Sequence, residues 1–105
     1  MPHWVKRQVV WTEEAQIGIA VLLAAGQVDI ATAAKCAVDM YAARGDTAPH
    51  LLEYFASGPW RGFWRIKQFG QPSGFRVLFR DSPMRRRVVV KRVRLREIAY
   101  LDPPG

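Results

Sequence analysis

One cysteine and two histidines are the whole supply of soft or imidazole metal ligands in this 105-residue chain. Cys36 has no second cysteine for a disulfide and falls in a stretch of helical periodicity, where a lone thiol serves as a small apolar residue. His3 and His50 stand far apart, neither in a ligand-spaced motif, so both read as structural or surface residues and no metal centre is expected. Long apolar runs are scarce too. The longest, Ile17 to Gly26, is about half the ~20 residues that a membrane-spanning helix needs. Lys6 and Arg7 are not followed by the apolar segment of a cleavable leader. The expectation is a cytoplasmic protein with no membrane contact. No phosphate-cradling glycine loop, dinucleotide fingerprint or Ser/His/Asp arrangement occurs, so no cofactor is expected. Any chemistry has to run on arginine, lysine and tyrosine.

Acid is scarce in one half only. Residues 1–60 carry four basic and six acidic side chains, whereas the remainder carries twelve basic and three acidic ones, which together give the net charge of +7. From Arg61 to Arg96 the only acid is Asp81. So one-sided a charge suits a polyanionic partner, with nucleic acid as the default. The chain is one small domain, 1–101, with a short tail at 102–105. Half of its residues are hydrophobic and twelve are aromatic, enough for a real core.

In chain order, Trp4 to Trp11 reads as a first strand, rich in β-branched and aromatic residues. Thr12 is a helix N-cap, with Glu13 and Glu14 in the first turn where acids suit the helix dipole. The helix is expected over 13–25, stopped by Gly26, with Ile17, Val21 and Leu22, or Ala20 and Leu23, as its buried stripe. Asp29 is placed as the cap of a second helix through Ala43, buried along Ile30, Ala33, Ala34, Ala37, Val38 and Tyr41. Asp46, Thr47 and Pro49 suggest a third helical piece through Phe55.

Three strands should follow. Phe63 to Phe69 and Phe75 to Arg80 alternate, joined by a Gly70–Gly74 hairpin loop. A turn at 81–84 leads to a long strand from Arg87 to Leu95. Short loops make this an antiparallel meander with helices on one face. The other face then carries Arg65, Lys67, Arg76 and Arg80 with part of the Arg92/Arg94 cluster. Arg61 and Lys91 belong to the same basic surface. Phe75, Phe79 and Trp64 are expected in the core, Trp60 and Phe63 at an exposed strand entrance. Such a cation cluster either neutralises phosphate without chemistry or stabilises the charge that builds when a ribose 2′-OH attacks its neighbouring phosphodiester.

Three stretches carry a family resemblance: Val9-Val-Trp-Thr-Glu-Glu-Ala15, Trp64-Arg-Ile-Lys67 with Gly74-Phe-Arg-Val-Leu-Phe79, and Val88-Val-Val90 through Arg94-Leu-Arg-Glu97. In this order the chain resembles the RelE/ParE superfamily of toxins from type II toxin–antitoxin pairs. The resemblance implies an α+β fold: an N-terminal strand, two to three helices, then a three-strand meander with helices on one face and a basic face opposite. RelE-type members are endoribonucleases that cut mRNA on the ribosome and inhibit translation. On that resemblance Arg65 and Lys67 match a paired basic strand, with Lys67 as general base, and Arg76 matches the arginine that stabilises phosphoryl charge. Either Arg94 or Arg96 completes the set, with Arg96 preferred. Tyr100 matches a late tyrosine that orients a base, or else caps the core edge. The implied partners are the ribosome, mRNA and an acidic antitoxin; a homodimer is a further candidate assembly. The alternatives are a ParE-like inhibitor of DNA gyrase without nuclease activity, and a basic nucleic-acid-binding protein of a phage or mobile element. Against the family pattern, position 65 is arginine, which stays charged and is a poor proton acceptor.

Overall fold

The computed structural model describes residues 3–68, 70 and 74–104. Five strands form one sheet: β1 (Gln8–Trp11), β2 (Leu51–Tyr54), β3 (Trp64–Lys67), β4 (Phe75–Ser82) and β5 (Arg87–Leu95), in spatial order β1-β5-β4-β3-β2. Helices α1 (Glu13–Ala24) and α2 (Val28–Arg44) lie between β1 and β2 in sequence, and a single turn, α3 (Arg96–Ala99), follows β5. Strands β2 to β5 pair antiparallel, while β1 runs parallel to β5. A parallel neighbour cannot be reached by a tight turn, and the α1–α2 excursion supplies the crossover. The α+β class is borne out.

Alternation along each strand decides which face the helices cover. Trp64 and Ile66, Phe75, Val77 and Phe79, and Val88, Val90, Val93 and Leu95 all face the helices. They meet Ala15 and Leu22 of α1 and Ala31, Ala34, Ala37, Val38, Tyr41 and Ala42 of α2. A β-bulge at Leu78/Phe79 sets Phe79 opposite Val90 and Leu78 opposite Arg92, so Lys91 is the extra residue on β5. Without that insertion, Val93 and Leu95 would turn to the wrong face.

Thr12 does two jobs. Its Oγ1 accepts from the Ala15 N–H at 3.1 Å, capping α1, and its hydroxyl donates to the Val90 carbonyl at 2.8 Å, fastening the helix start to β5. At the helix middle the approach is closer still: a Cβ on Gly18 would stand 2.1 Å from the Val93 carbonyl oxygen. Alanine and glycine let both helices come this near the sheet.

Several expectations need correction. Residues 51–54 are strand β2, not a third helical piece, and pair with β3 from Leu51↔Lys67 to Tyr54↔Trp64. Thr47 does not cap a helix; its Oγ1 donates to the His50 carbonyl at 3.0 Å in the turn before β2. The first strand begins at Gln8. Trp4 instead caps α2, donating Nε1–H to the Ala42 carbonyl at 3.0 Å and meeting Tyr41 edge-on. On α1 the buried residues are Ala15 and Leu22, while Ile17, Ala20, Val21 and Leu23 face outward. The second helix starts at Val28 with Asp29 in its first turn, and Gly45 ends it in the left-handed conformation. Phe69 and most of the Gly70–Gly74 loop lie outside the described residues.

Candidate nucleic-acid interface

Strand register writes the sheet's second face as rows. The first row crosses β2 to β5 as Leu51, Lys67, Arg76 and Arg94, each in direct register with the next. The second reads Glu53, Arg65, Leu78 and Arg92. Further along, Arg80 pairs with Val89. Successive residues alternate faces, so these side chains point away from the helix layer, and only at the β5 end does Glu14 of α1 reach round to Arg92.

The second row is matched. Arg65 donates through Nη2 to the Glu53 carboxylate directly across the strand pair, and through Nη1 to the Tyr100 hydroxyl at 2.9 Å. Burial works against the charged Arg65, but the Tyr100 hydroxyl and the Glu53 carboxylate outweigh it and push its pKa up. At the far end, Arg92 is only 3 % exposed. Its Nε donates to the Glu14 carboxylate, and its Nη atoms donate to the carbonyls of Ala99 at 3.1 Å, Leu101, and Asp102 at 3.1 Å. Arg92 is thus a buried clamp that ties the end of the chain to α1 and the sheet, not the exposed nucleic-acid contact expected from its place in a basic run. Lys91 is also committed, with its Nζ 3.3 Å from Glu14.

Over this row sits a second, small apolar cluster. Trp60, Phe63 and Leu78 are buried together, with Phe55 and Tyr100 against them. Trp60 and Phe63 are therefore not exposed aromatics. They meet edge-on at 5.3 Å, Arg92 lies over Trp60 at 4.9 Å, and Arg80 lies over Phe63 at 4.3 Å. The basic face is covered at its centre and open at its ends.

The first row is unmatched. Among the described residues no carboxylate pairs with Lys67, Arg76 or Arg94. Like charges placed directly across strands repel, so an anion brought here would relieve that repulsion. Lys67 and Arg94 are half-buried; Arg94 Nη1 reaches the Ile98 carbonyl at 3.4 Å. Arg76 lies at 2 % exposure, folded back along its own strand, with Nη1 donating to the carbonyls of Phe75 at 3.0 Å and Gly74 at 3.3 Å. Of the two late arginines, Arg94 shares the row with Arg76, whereas the preferred Arg96 starts α3 and is exposed off the sheet. Arg61 and Arg80 are exposed beside the aromatic loop. Among the described residues no cluster of three His, Cys, Asp or Glu side chains could hold a metal ion, and no helix is long and apolar enough to cross a membrane.

Sequence reading missed Glu53 and Glu14, the two acids that divide the cations into matched and unmatched. Glu53 was hidden by the helical assignment of 51–55; read as a strand, it falls opposite Arg65. Glu14 looked like an ordinary first-turn acid, and only the fold brings Arg92 to it from 78 residues away.

Two groups make stability pH-dependent with the same sign. Burial would raise the Glu14 carboxyl, but Arg92 and then Lys91 outweigh it and hold it below its usual 4.5. Burial lowers the His50 imidazole from its usual 6.5, where the ring meets Phe75 edge-on at 5.4 Å. Both folded values are depressed, so the unfolded chain takes up each proton first. Stability is full above pH 6.5, falls as His50 protonates, and falls again below pH 4.5. Thermal melts from pH 8 to 3.5 should show both limbs, with Glu14→Gln flattening the lower. An unchanged lower limb in Glu14→Gln would show that the Arg92 clamp does not couple to folding.

No protein-family model matches the chain. No curated protein matches it either. Among solved structures, the chain is similar to YafQ from E. coli, with a TM-score of 0.64 and 8 % sequence identity, over 88 % of this chain and 96 % of that one. At that identity the likeness speaks to the path of the backbone and not to the side chains. The chain shares its α+β fold with YafQ.

Proposed function

We propose that this chain is a RelE-like toxin, a ribosome-dependent endoribonuclease that cuts mRNA and is held inactive by an acidic antitoxin. The observation that carries the reading is the unmatched row Lys67–Arg76–Arg94 beside a row of cations that are all paired. The fold shared with YafQ, a RelE-family toxin, supports the same class.

In this reading the scissile phosphate lies over the row. Lys67 Nζ takes the proton of the 2′-OH, the 2′-oxygen bonds to phosphorus, and the bond to O5′ breaks. A 2′,3′-cyclic phosphate and a 5′-hydroxyl result, the leaving oxygen taking its proton from water. Arg76 and Arg94 hold the charge that grows on the phosphoryl oxygens, an electrostatic role that suits fixed guanidinium donors. Arg76 has to swing off its own strand carbonyls to reach that charge. Arg65 is a positioning residue: it holds the Tyr100 hydroxyl, and Tyr100 offers a ring on which a base can stack. The proton acceptor is Lys67, because the Arg65 guanidinium stays charged and is held by Glu53 and Tyr100. A net charge of +7 supports an acidic antitoxin as the partner.

The test is primer extension on a defined mRNA in a purified translation system. Wild type should cut at ribosomal A-site codons and only with ribosomes present. Lys67→Ala and Arg76→Ala should each lower the cleavage rate by ~10²–10³-fold, the usual effect of removing a transition-state donor, with Arg94→Ala close behind. Arg96→Ala should retain activity. Intact mRNA with wild-type protein would sink the nuclease reading, and inhibition of gyrase supercoiling by the same sample would replace it with the ParE-like one.

A further inference from the structure

The cations of the row leave another group unexplained. At the opposite end of the β4–β5 ribbon, the turn Pro83–Arg85 leads into Arg86 and Arg87, so three arginines follow one another at the tip. All three are exposed, and Met84 beside them is 99 % exposed. Arg80 and Arg87 fall on the same face of the sheet as Arg76 and Arg94, by alternation from the paired positions Arg80↔Val89 and Ser82↔Arg87. None of the four has a carboxylate partner among the described residues. The one acid nearby, Asp81, turns to the helix side, where Arg7 at 2.9 Å and Tyr41 at 2.8 Å occupy it.

We infer that Arg80, Arg85, Arg86 and Arg87 form a second polyanion subsite that grips the phosphate backbone of RNA outside the strand being cut. Along the ribbon, at ~3.3 Å per residue, Arg80 stands four steps or about 13 Å from Arg76, and Arg87, opposite Ser82, stands six steps or about 20 Å from it. The buried Trp60–Phe63 loop stands between the two cationic patches. One phosphate cannot touch both patches, whereas a folded RNA surface beside the cleaved strand can. The tip presents guanidinium forks on an exposed turn beside one exposed methionine, and such forks suit phosphate geometry and fix position without reading sequence. The choice of RNA as the polyanion rests on the nuclease reading.

The test titrates a 2′-O-methyl RNA hairpin, which cannot be cleaved through its 2′ position, with wild type and the double variant Arg85→Gln/Arg87→Gln at several salt concentrations. Fluorescence anisotropy reports the dissociation constant. The variant should bind about tenfold more weakly at low salt. Its plot of log affinity against log salt should flatten by about 1 to 2, as expected for one or two lost phosphate contacts. Both side chains are exposed, so the melting temperature should hold. On ribosomes the double variant should raise KM at unchanged kcat, whereas Lys67→Ala lowers kcat. Hairpin affinity and salt slope equal to wild type would overturn the proposal. So would loss of binding to phosphatidylserine vesicles with hairpin binding unchanged, which would assign the tip to a membrane surface. Hairpin binding lost in the variant, alongside wild-type protein that leaves mRNA intact, would uphold this subsite and reject the nuclease reading.

Discussion

Gly18→Ala should cost the fold more than about 3 kcal/mol, although alanine is the better helix former by ~1 kcal/mol. The added Cβ would stand 2.1 Å from the Val93 carbonyl oxygen and 3.1 Å from its carbon, both backbone atoms of a strand held in register by β4 at Val77↔Val93. Neither atom can swing away as a side-chain tip would. Helix α1 must therefore lift or slide, and that loosens Leu22 and Ala15 from the core and pulls at the Thr12 cap. A loss of 3 kcal/mol lowers the melting temperature of a domain this size by at least ~12 °C. Gly26→Ala is the control: nothing lies within 4 Å of its added Cβ, and only its positive φ of 76° is unfavourable, at roughly 1–2 kcal/mol. Equal melting temperatures for Gly18→Ala and wild type would mean that α1 does not approach β5 this closely.

Asp81→Ala is the second large effect, at about 3–5 kcal/mol. Asp81 accepts from Arg7 Nε at 2.9 Å and from the Tyr41 hydroxyl at 2.8 Å, with both ion-pair side chains only 8 % exposed. Burial, and then the carboxylate itself, raise the Tyr41 hydroxyl far above its ordinary range, so it remains a donor at any working pH. Removing the carboxylate leaves the Arg7 guanidinium without its anion, stacked 3.9 Å from the Trp4 ring centroid and donating to the Val5 carbonyl. Tyr41→Phe should cost only about 1 kcal/mol, since it removes one neutral donor and leaves the ion pair. The double variant Arg7→Met/Asp81→Ala should be more stable than the two single losses add to, because no charge is left unpaired. Strict additivity in urea melts would refute the coupling.

Both sites show where the chain was legible and where it was not. Thr12, Glu13 and Glu14 mark the start of α1, and Arg44 and Gly45 mark the end of α2, because capping is settled within a few residues of the sequence. The alternation in Trp64–Lys67 and Phe75–Arg80 gave the right faces for Phe75, Val77 and Phe79, all fully buried. By contrast, the apolar positions of α1 are so evenly spread that period alone could not choose a face. Gly18 and Ala15 face the sheet because they are small, and Ile17 and Val21, at 55 % and 58 % exposure, are turned away.

The stretch 51–54 failed for a different reason. Asp46, Thr47 and Pro49 are honest helix-start signals, but a four-residue segment is decided by what it lies beside. The open edge of β3 offers main-chain partners from Trp64 to Lys67, and pairing there satisfies backbone groups that one isolated helical turn would leave to water. That pairing also sets Glu53 against Arg65 and so removes one cation from the free set.

By itself, then, the sequence determined the one-sided charge and the order of strand, helices and meander. Those properties follow from composition and from local periodicity. Tertiary structure alone decided which cations remain available. Arg92 and Arg94 are two residues apart on one face and look alike in sequence, yet one is buried against Glu14 and three carbonyls while the other stands unmatched beside Arg76. The difference lies in which acids the fold carries to each, and charge pairing acts over a few ångströms of space whatever the distance along the chain.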